Sequence, residues 1–273
     1  VIPPSFTYRR ASSVDEALDL AAELGEDAKF LAGGHSLLPL MKLRFASPEY
    51  LIDLGRITEL SYIRDEGTYV AVGALTRHHD VNTSALLASE VPLLAHAAGQ
   101  VGDPQIRHRG TIGGSVAHAD AASDLPAVLL ALDATFVIRG ASGTRTVSSA
   151  DFFKGIFETA LEPGELLTEI QVPKPSATNA WSFQKFTKRA IDWAIVGVAV
   201  QSDKVALVNM GHTPLRASAV EAALASGASV ADAAEHAAEG TNAGSDIHAS
   251  AAFRGHLARI LVRRALEEAR ARA

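Results

Sequence analysis

The sequence predicts an α+β protein built in two parts, and three features carry that prediction. Helix and strand patterns alternate through residues 1–55, and antiparallel hairpin patterns run from there to residue 172. The punctuation Pro173-Lys174-Pro175-Ser176 then precedes three more strand-like runs and a helical end. Sheets followed by helices, rather than strict strand–helix alternation throughout, is the α+β pattern.

The first element is a helix opened by Ser13-Val14-Asp15-Glu16. This is a capping box, in which the Ser13 hydroxyl and the Glu16 carboxylate satisfy the first free N–H groups. Leu18, Ala21 and Ala22 continue its apolar face and Gly25 closes it. Residues 29–32 form a short strand running into Gly33-Gly34, and residues 50–54 form a second buried strand. Helix, strand, glycine loop and strand make a small α/β unit. Residues 61–64 and 69–72 flank Asp65-Glu66-Gly67-Thr68, a hairpin turn. Helices are expected over 91–101 and 124–132, the second with Ser123 as its N-cap. A further hairpin joins 134–139 to 144–147, and 166–172 is a strand ended by Pro173. Beyond the boundary, residues 181–186, 193–201 and 205–210 read as strands, the last two joined by a turn at Ser202-Asp203. The terminal helix presents Phe253, Leu257, Ile260 and Leu261 on one face.

At 273 residues the chain can bury a sizeable core. Its net charge of −6 argues against nucleic acid as the partner. It has no cysteine, so no disulfide, thiolate-held zinc, iron–sulfur cluster or cysteine nucleophile belongs to these residues. The first residues lack the basic-then-apolar pattern of a signal peptide, and the longest apolar run, 193–200, is too short to span a bilayer. A cytoplasmic location is the expectation.

Two Gly-Gly segments carry the chemistry: Ala32-Gly33-Gly34-His35-Ser36 and Thr111-Ile112-Gly113-Gly114-Ser115. Glycine permits φ > 0 and close backbone approach, so such loops fold N–H groups around an anion. Two of them in one domain suggest two walls gripping one large phosphate-bearing ligand, with a dinucleotide pyrophosphate the natural candidate. The G-x-G-x-x-G and P-loop patterns are both absent, and Gly34-His35-Ser36 lacks the final glycine of a nucleophile elbow. His35 reads either as a ring packed beside its loop or as an N–H donor near a phosphate. The pairs His78-His79-Asp80 and His118-Ala119-Asp120 read as solvated or packing residues rather than metal ligands, since no H-E-x-x-H spacing supports them. Asp124, opening a helix, reads equally as a dipole-favoured carboxylate or as a ribose or flavin contact. Arg107, His108 and Arg109 read as exposed loop basics, with pyrophosphate neutralisation as the alternative. Trp181 and Trp193 read as core aromatics, or Trp193, beside Asp192, as the cover of a flat heteroaromatic ring.

The run from Ala32-Gly33-Gly34-His35-Ser36-Leu37 through Leu43-Arg44 resembles the FAD-binding medium subunits of molybdenum hydroxylases of the xanthine dehydrogenase family, in particular aerobic (molybdenum) carbon monoxide dehydrogenase. Gln105-Ile106-Arg107-His108-Arg109-Gly110 with Thr111 to Ser115 resembles their second flavin loop, and Ala122-Ser123-Asp124-Leu125-Pro126 the segment after it. Thr213-Pro214-Leu215-Arg216-Ala217 and His256-Leu257-Ala258-Arg259 resemble the family's C-terminal domain, so the resemblance covers nearly the whole chain. Ser115 stands where many members have Asn, and at Asp192-Trp193 many relatives carry a different residue beside the flavin.

That resemblance implies a two-lobed FAD-binding domain of the vanillyl-alcohol-oxidase or p-cresol-methylhydroxylase type over 1–175, with lobes about 1–55 and 56–175. A C-terminal antiparallel sheet-plus-helices domain follows over 176–273. FAD is expected to be held non-covalently, with its pyrophosphate between residues 32–36 and 111–115 and its ring where both lobes meet the C-terminal domain. The implied cofactor contacts are Ala32, Gly33, Gly34, His35, Ser36, Leu37, Thr111, Ile112, Gly113, Gly114, Ser115 and Asp124, with Leu167, Lys185 and Trp193 matched more loosely. No side chain need be a catalytic acid, base or nucleophile, because the cofactor carries the redox chemistry. The implied partners are a large subunit with the molybdenum cofactor and a small subunit with two [2Fe–2S] clusters, paired into a dimer of heterotrimers. Electrons reach a quinone or another acceptor through FAD, and any contact with the inner face of the membrane comes through the complex. Related medium subunits serve aldehyde, nicotine, purine and N-heterocycle hydroxylases. A free-standing flavin oxidoreductase and a scaffold without flavin are the rival readings.

Overall fold

The computed structural model describes residues 2–273. The N-terminal part runs β1 (Thr7–Arg10), α1 (Val14–Leu24), β2 (Ala28–Leu31), α2 (Leu37–Lys42) and β3 (Tyr50–Asp53), and its three strands pair in parallel in the order β1-β3-β2. The Ser13 hydroxyl caps α1 by accepting from the Glu16 N–H, as the capping box requires. The Glu16 carboxylate departs from that motif: it accepts from the N–H and hydroxyl of Ser12, not from Ser13. Val14, Ala17 and Ala21 of α1 close a small core with Ile52, Leu54, Ile57 and Leu60.

The middle part begins with β4 (Ile63–Asp65) and β5 (Tyr69–Gly73), whose turn is held by the Gly67 N–H donating to Asp65 Oδ1. Six short helices follow: α3 (His78–Thr83), α4 (Ala85–Glu90), α5 (Pro92–Gly99), α6 (Pro104–Arg107), α7 (Ile112–His118) and α8 (Asp124–Ala131). Then come β6 (Thr135–Gly140), β7 (Gly143–Ser148), α9 (Ser149–Phe152), the small hairpin β8 (Phe153–Gly155) and β9 (Glu158–Thr159), and β10 (Leu166–Pro173). Five of these strands make an antiparallel sheet ordered β4-β5-β10-β6-β7. A register shift in β10 between Leu167 and Glu169 breaks the alternation of side chains at that point.

The C-terminal part holds β11 (Trp181–Phe186), β12 (Val196–Gln201), β13 (Lys204–Val208) and β14 (Leu215–Arg216), sheet neighbours in that order and antiparallel. Helices α10 (Ser218–Ala225), α11 (Val230–Glu235) and α12 (Ala251–Arg272) complete it. Side chains alternate across a strand, so this sheet buries both faces. Ala199, Ala206 and Val208 join the core containing α5 and α8, whereas Val196, Val198, Val200, Val205 and Leu207 pack with the C-terminal helices. Helix α8 lies between the two larger sheets and is buried at every position.

Two expectations fail locally. The strand expected from residue 193 starts at Val196, because residues 187–195 form a loop in which Asn209 Nδ2 donates to the Ala194 carbonyl at 2.7 Å. Phe253 lies off the buried face of α12, 42% exposed, and Arg254 takes the inner position. The charge of Arg254 is matched there by Asp246 at 2.6 Å, and its guanidinium also donates to the Ile195 carbonyl. Among the described residues no helix is long and apolar enough to cross a membrane.

Candidate functional site

A cavity of about 830 Å³ lies where the three-stranded sheet, the helical segment 104–125 and the edge of the C-terminal sheet converge. That volume falls in the upper part of the ~300–1,000 Å³ range of small-molecule and cofactor sites. Every residue singled out from the sequence as a cofactor contact lines it except Ile112, which is fully buried in the main core.

The first glycine segment forms the most distinctive wall. After β2 the chain leaves the sheet at Ala32 and turns through Gly34, whose φ of +75° is a left-handed conformation that favours glycine. A Cβ on Gly33 would stand 2.2 Å from the Arg109 carbonyl oxygen, so the two glycine segments touch backbone to backbone at this point. The N–H groups of residues 33–37 donate to no acceptor within the described residues, whereas the carbonyls of Gly34 and Ser36 start the α2 ladder. Consecutive unpaired backbone donors beside a cavity form a binding surface for an anion. His35 Nδ1 lies 3.1 Å from the Gly33 carbonyl and donates to it, which leaves Nε2 as the ring nitrogen free for another partner.

The second segment is built differently from the expected loop. Thr111 caps the short helix α7, its hydroxyl accepting from the Gly114 N–H at 3.1 Å. The N–H groups of Ile112 and Gly113 donate to the Thr76 and Ala74 carbonyls, and that of Ser115 to Thr111. Gly113 is glycine because a Cβ would strike the Ala74 Cβ at 2.5 Å. This segment therefore closes the cavity with small groups and hydroxyls rather than with a second row of free N–H groups. Behind it His78, 3% exposed, places Nε2 3.2 Å from Ser115 Oγ.

At the far end Asp124, the first residue of α8, faces Lys185 of β11 at 2.6 Å, and each side chain is 5% exposed. Burial pushes the Asp124 carboxyl up to about 6, although Lys185 pulls it the other way. Lys185 also donates to the Gln100 carbonyl, while Asp124 Oδ1 is buried with no donor. Leu167, at the register shift of β10, supplies an apolar wall. Trp193 stands at the cavity edge on loop 187–195 and is 58% exposed, so it is not a core aromatic.

Of the other candidates, Arg107 spends its guanidinium on the Val101 and Gly102 carbonyls, while His108 and Arg109 are exposed loop basics. Among the described residues no group of three His, Asp or Glu side chains could hold a metal. Sequence reasoning missed the contributions of Leu54, Leu75, Ile106 and the 159–166 connection. The Pro163-Gly164 turn was the one available signal for the last of these.

The cavity's donors and acceptors fit a cofactor with an anionic pyrophosphate and a polar ring system. Consecutive free N–H groups meet the first, and the orphaned carboxylate oxygen of Asp124 can accept from the second. Comparisons with known proteins agree. The family model described as "FAD binding domain in molybdopterin dehydrogenase" matches residues 4–175, and the one described as "CO dehydrogenase flavoprotein C-terminal domain" matches 181–269. The carbon monoxide dehydrogenase medium chain of Hydrogenophaga pseudoflava is 42% identical over 285 residues, covering 100% of this chain and 99% of that one. The 6-hydroxypseudooxynicotine dehydrogenase complex subunit alpha of Paenarthrobacter nicotinovorans is 39% identical, covering 99% and 96%. A solved structure of the H. pseudoflava carbon monoxide dehydrogenase, lacking the Mo-pyranopterin moiety of its molybdenum cofactor, superimposes with a TM-score of 0.96 at 44% identity over 100% of both chains.

Proposed function

Since the chain belongs to the family of FAD-binding flavoprotein subunits of the molybdopterin dehydrogenases, we propose that it is the electron-relay subunit of an aerobic carbon monoxide dehydrogenase. In that reading CO and water become CO2, two protons and two electrons in a large partner subunit that would hold the molybdenum. Electrons leave through iron–sulfur clusters in a small one and pass by way of this chain to a quinone or another acceptor. Bound FAD supplies the capacity to take up electrons singly and pass them on.

The chain's own residues position that cofactor. The five N–H groups of residues 33–37 would hold the pyrophosphate, with Thr111, Gly113, Gly114 and Ser115 also lining the cavity. Asp124 Oδ1 accepts a hydrogen bond from the cofactor, and Lys185 fixes that carboxylate. Leu167 and Trp193, both on the cavity wall, would border the ring and limit water. The observation that carries this reading is the row of unpaired N–H groups in a cavity large enough for a dinucleotide. A dimer of heterotrimers, located in the cytoplasm and in contact with the membrane only through the complex, is part of the proposal.

Carbon monoxide, rather than an aldehyde or N-heterocycle, is supported by the full-length match to the H. pseudoflava medium chain. The similarity to the 6-hydroxypseudooxynicotine dehydrogenase subunit and to a nicotine 6-hydroxylase medium subunit makes an N-heterocycle the second reading. The test is to purify the native complex, measure flavin released by acid, and assay CO-dependent and nicotine-dependent reduction of a soluble quinone. One FAD per copy of this chain, all of it released, with CO as the reductant is the expected result. Flavin left in the acid pellet refutes non-covalent binding, and nicotine-driven turnover without CO turnover refutes the substrate.

A further inference from the structure

We propose that His78 is a positioning residue for the cofactor phosphate: its Nε2–H donates to Ser115 Oγ and so turns the Ser115 hydroxyl proton into the cavity. The inference rests on the FAD reading above, and deepens it by adding a residue that touches no phosphate itself.

His78 opens α3 and is 3% exposed, yet it belongs to the cavity wall. It is stitched to the second glycine segment twice. Its backbone N–H donates to the Gly110 carbonyl at 3.1 Å, and its ring Nε2 lies 3.2 Å from Ser115 Oγ. Gly110 is glycine to make room for this ring, because a Cβ there would meet His78 Cδ2 at 2.7 Å. His78 Nδ1 has no hydrogen-bond partner and is fully buried.

That orphan fixes the tautomer. A neutral imidazole carries one N–H and one lone pair. A buried N–H without an acceptor is rarer and costlier than an unsatisfied acceptor, so the proton belongs on Nε2 and the lone pair on Nδ1. The ring stays neutral because burial, with lesser contributions from His35, Arg77 and Arg107, lowers its pKa to about 4.

The direction of the Ser115 hydroxyl follows. Were His78 the acceptor, Ser115 would spend its only proton on the ring and present lone pairs to an anion. With Nε2–H as the donor, Ser115 Oγ accepts from behind and its proton is free to donate forward. Hydrogen bonds to a charged acceptor are among the stronger ones, and here the bond requires that the donor face the right way. An asparagine at this position would bring its own N–H2 group and need no such help, whereas a serine does.

The test uses the native complex, reversibly stripped of flavin and titrated with FAD. His78→Leu and Ser115→Ala should each weaken FAD binding by about 10- to 100-fold, the range for a lost hydrogen bond to a charged group. The double variant should be no weaker than either single one, because both remove the same hydrogen bond. His78→Gln, whose Nε2 keeps a donor, should retain near-normal affinity. The 31P resonances of bound FAD should shift in His78→Leu and return toward wild type in His78→Gln. Additive losses, or a His78→Gln variant as weak as His78→Leu, overturn the inference. If His78→Leu does not assemble, Ser115→Ala binding FAD as tightly as wild type overturns it equally. Failure of the wild-type complex itself to rebind FAD refutes the FAD reading instead, so the two failures are distinguishable.

Discussion

Lys185 Nζ lies 2.6 Å from Asp124 Oδ2, and this contact joins a strand of the C-terminal sheet to the first turn of the helix that follows the second glycine segment. Both groups are nearly inaccessible to water, so the pair ties the two matched regions of the chain together at the cavity wall.

Breaking this pair from one side should be costly. Removing one partner of a buried ion pair leaves an uncompensated charge, a loss of about 3–5 kcal/mol, whereas replacing both partners together is far milder. Denaturant unfolding of Lys185→Met should show a loss of that order, and Asp124→Asn combined with Lys185→Met should recover most of it. A single variant as stable as wild type contradicts the geometry.

The same carboxyl gives a pH signature with a defined sign. Its folded-state value of about 6 lies above the ordinary 3.8, so the folded protein takes up a proton that the unfolded chain refuses until lower pH. The resulting stabilisation is fully present below about pH 4 and is lost as pH rises through 6. Measured against the Asp124→Asn/Lys185→Met double variant, which carries neither charge, wild-type stability should fall by roughly 2 to 3 kcal/mol between pH 4 and 7, about 2 pKa units at 1.36 kcal/mol each. A difference that stays flat, or rises, across that window contradicts burial as the dominant influence on this group.

Gly33 should tolerate no side chain, for a reason the sequence does not reveal. The obstacle to a Cβ is the Arg109 carbonyl, not a phosphate, so Gly33→Ala pushes the two glycine segments apart before any ligand arrives. Flavin content of the purified complex should fall at least about tenfold, the effect of some 1.4 kcal/mol, and the flavin-free variant should itself melt below flavin-free wild type. Full flavin loading in Gly33→Ala contradicts the close approach.

If the chain is only a relay, removing its flavin separates two half-reactions. Substrate should still bleach the iron–sulfur absorbance of the intact complex, while quinone reduction stops and returns when FAD is added back. Loss of cluster reduction along with the flavin, in a complex that remains assembled, contradicts the relay.

What the sequence revealed and what it hid divide along physical lines. The hairpins at 61–72 and 134–147 were legible because turn residues sit between runs of two-residue period. Helices α3, α4, α6 and α7 were not, because segments of 4–7 residues hold too few turns to show a helical period. The run at 193–195 looked like strand because it is apolar, but its backbone carbonyls are taken by Asn209 and Arg254 side chains that no local pattern announces. Arg254 itself defeats the rule that charge faces water, since its partner Asp246 lies eight residues away in a loop. The cavity residues were legible as motifs, yet the glycines at 33 and 113 owe their identity to packing against Arg109 and Ala74, which only the folded chain brings near.

Helix α12 also bears on when the cavity becomes whole. Its Glu268 accepts from Ser182 and Gln184 of β11, and its Arg254 holds the Ile195 carbonyl at the end of the loop carrying Trp193. The strand with Lys185 and the loop with Trp193 thus depend on residues 251–272, which leave the ribosome after every residue that lines the cavity. A nascent chain displays the first glycine loop early, whereas the far wall gains these supporting contacts only when this helix docks. Flavin insertion is therefore expected late in the life of the polypeptide, and a lesion in a helix that lines no part of the cavity should surface as a defect in maturation.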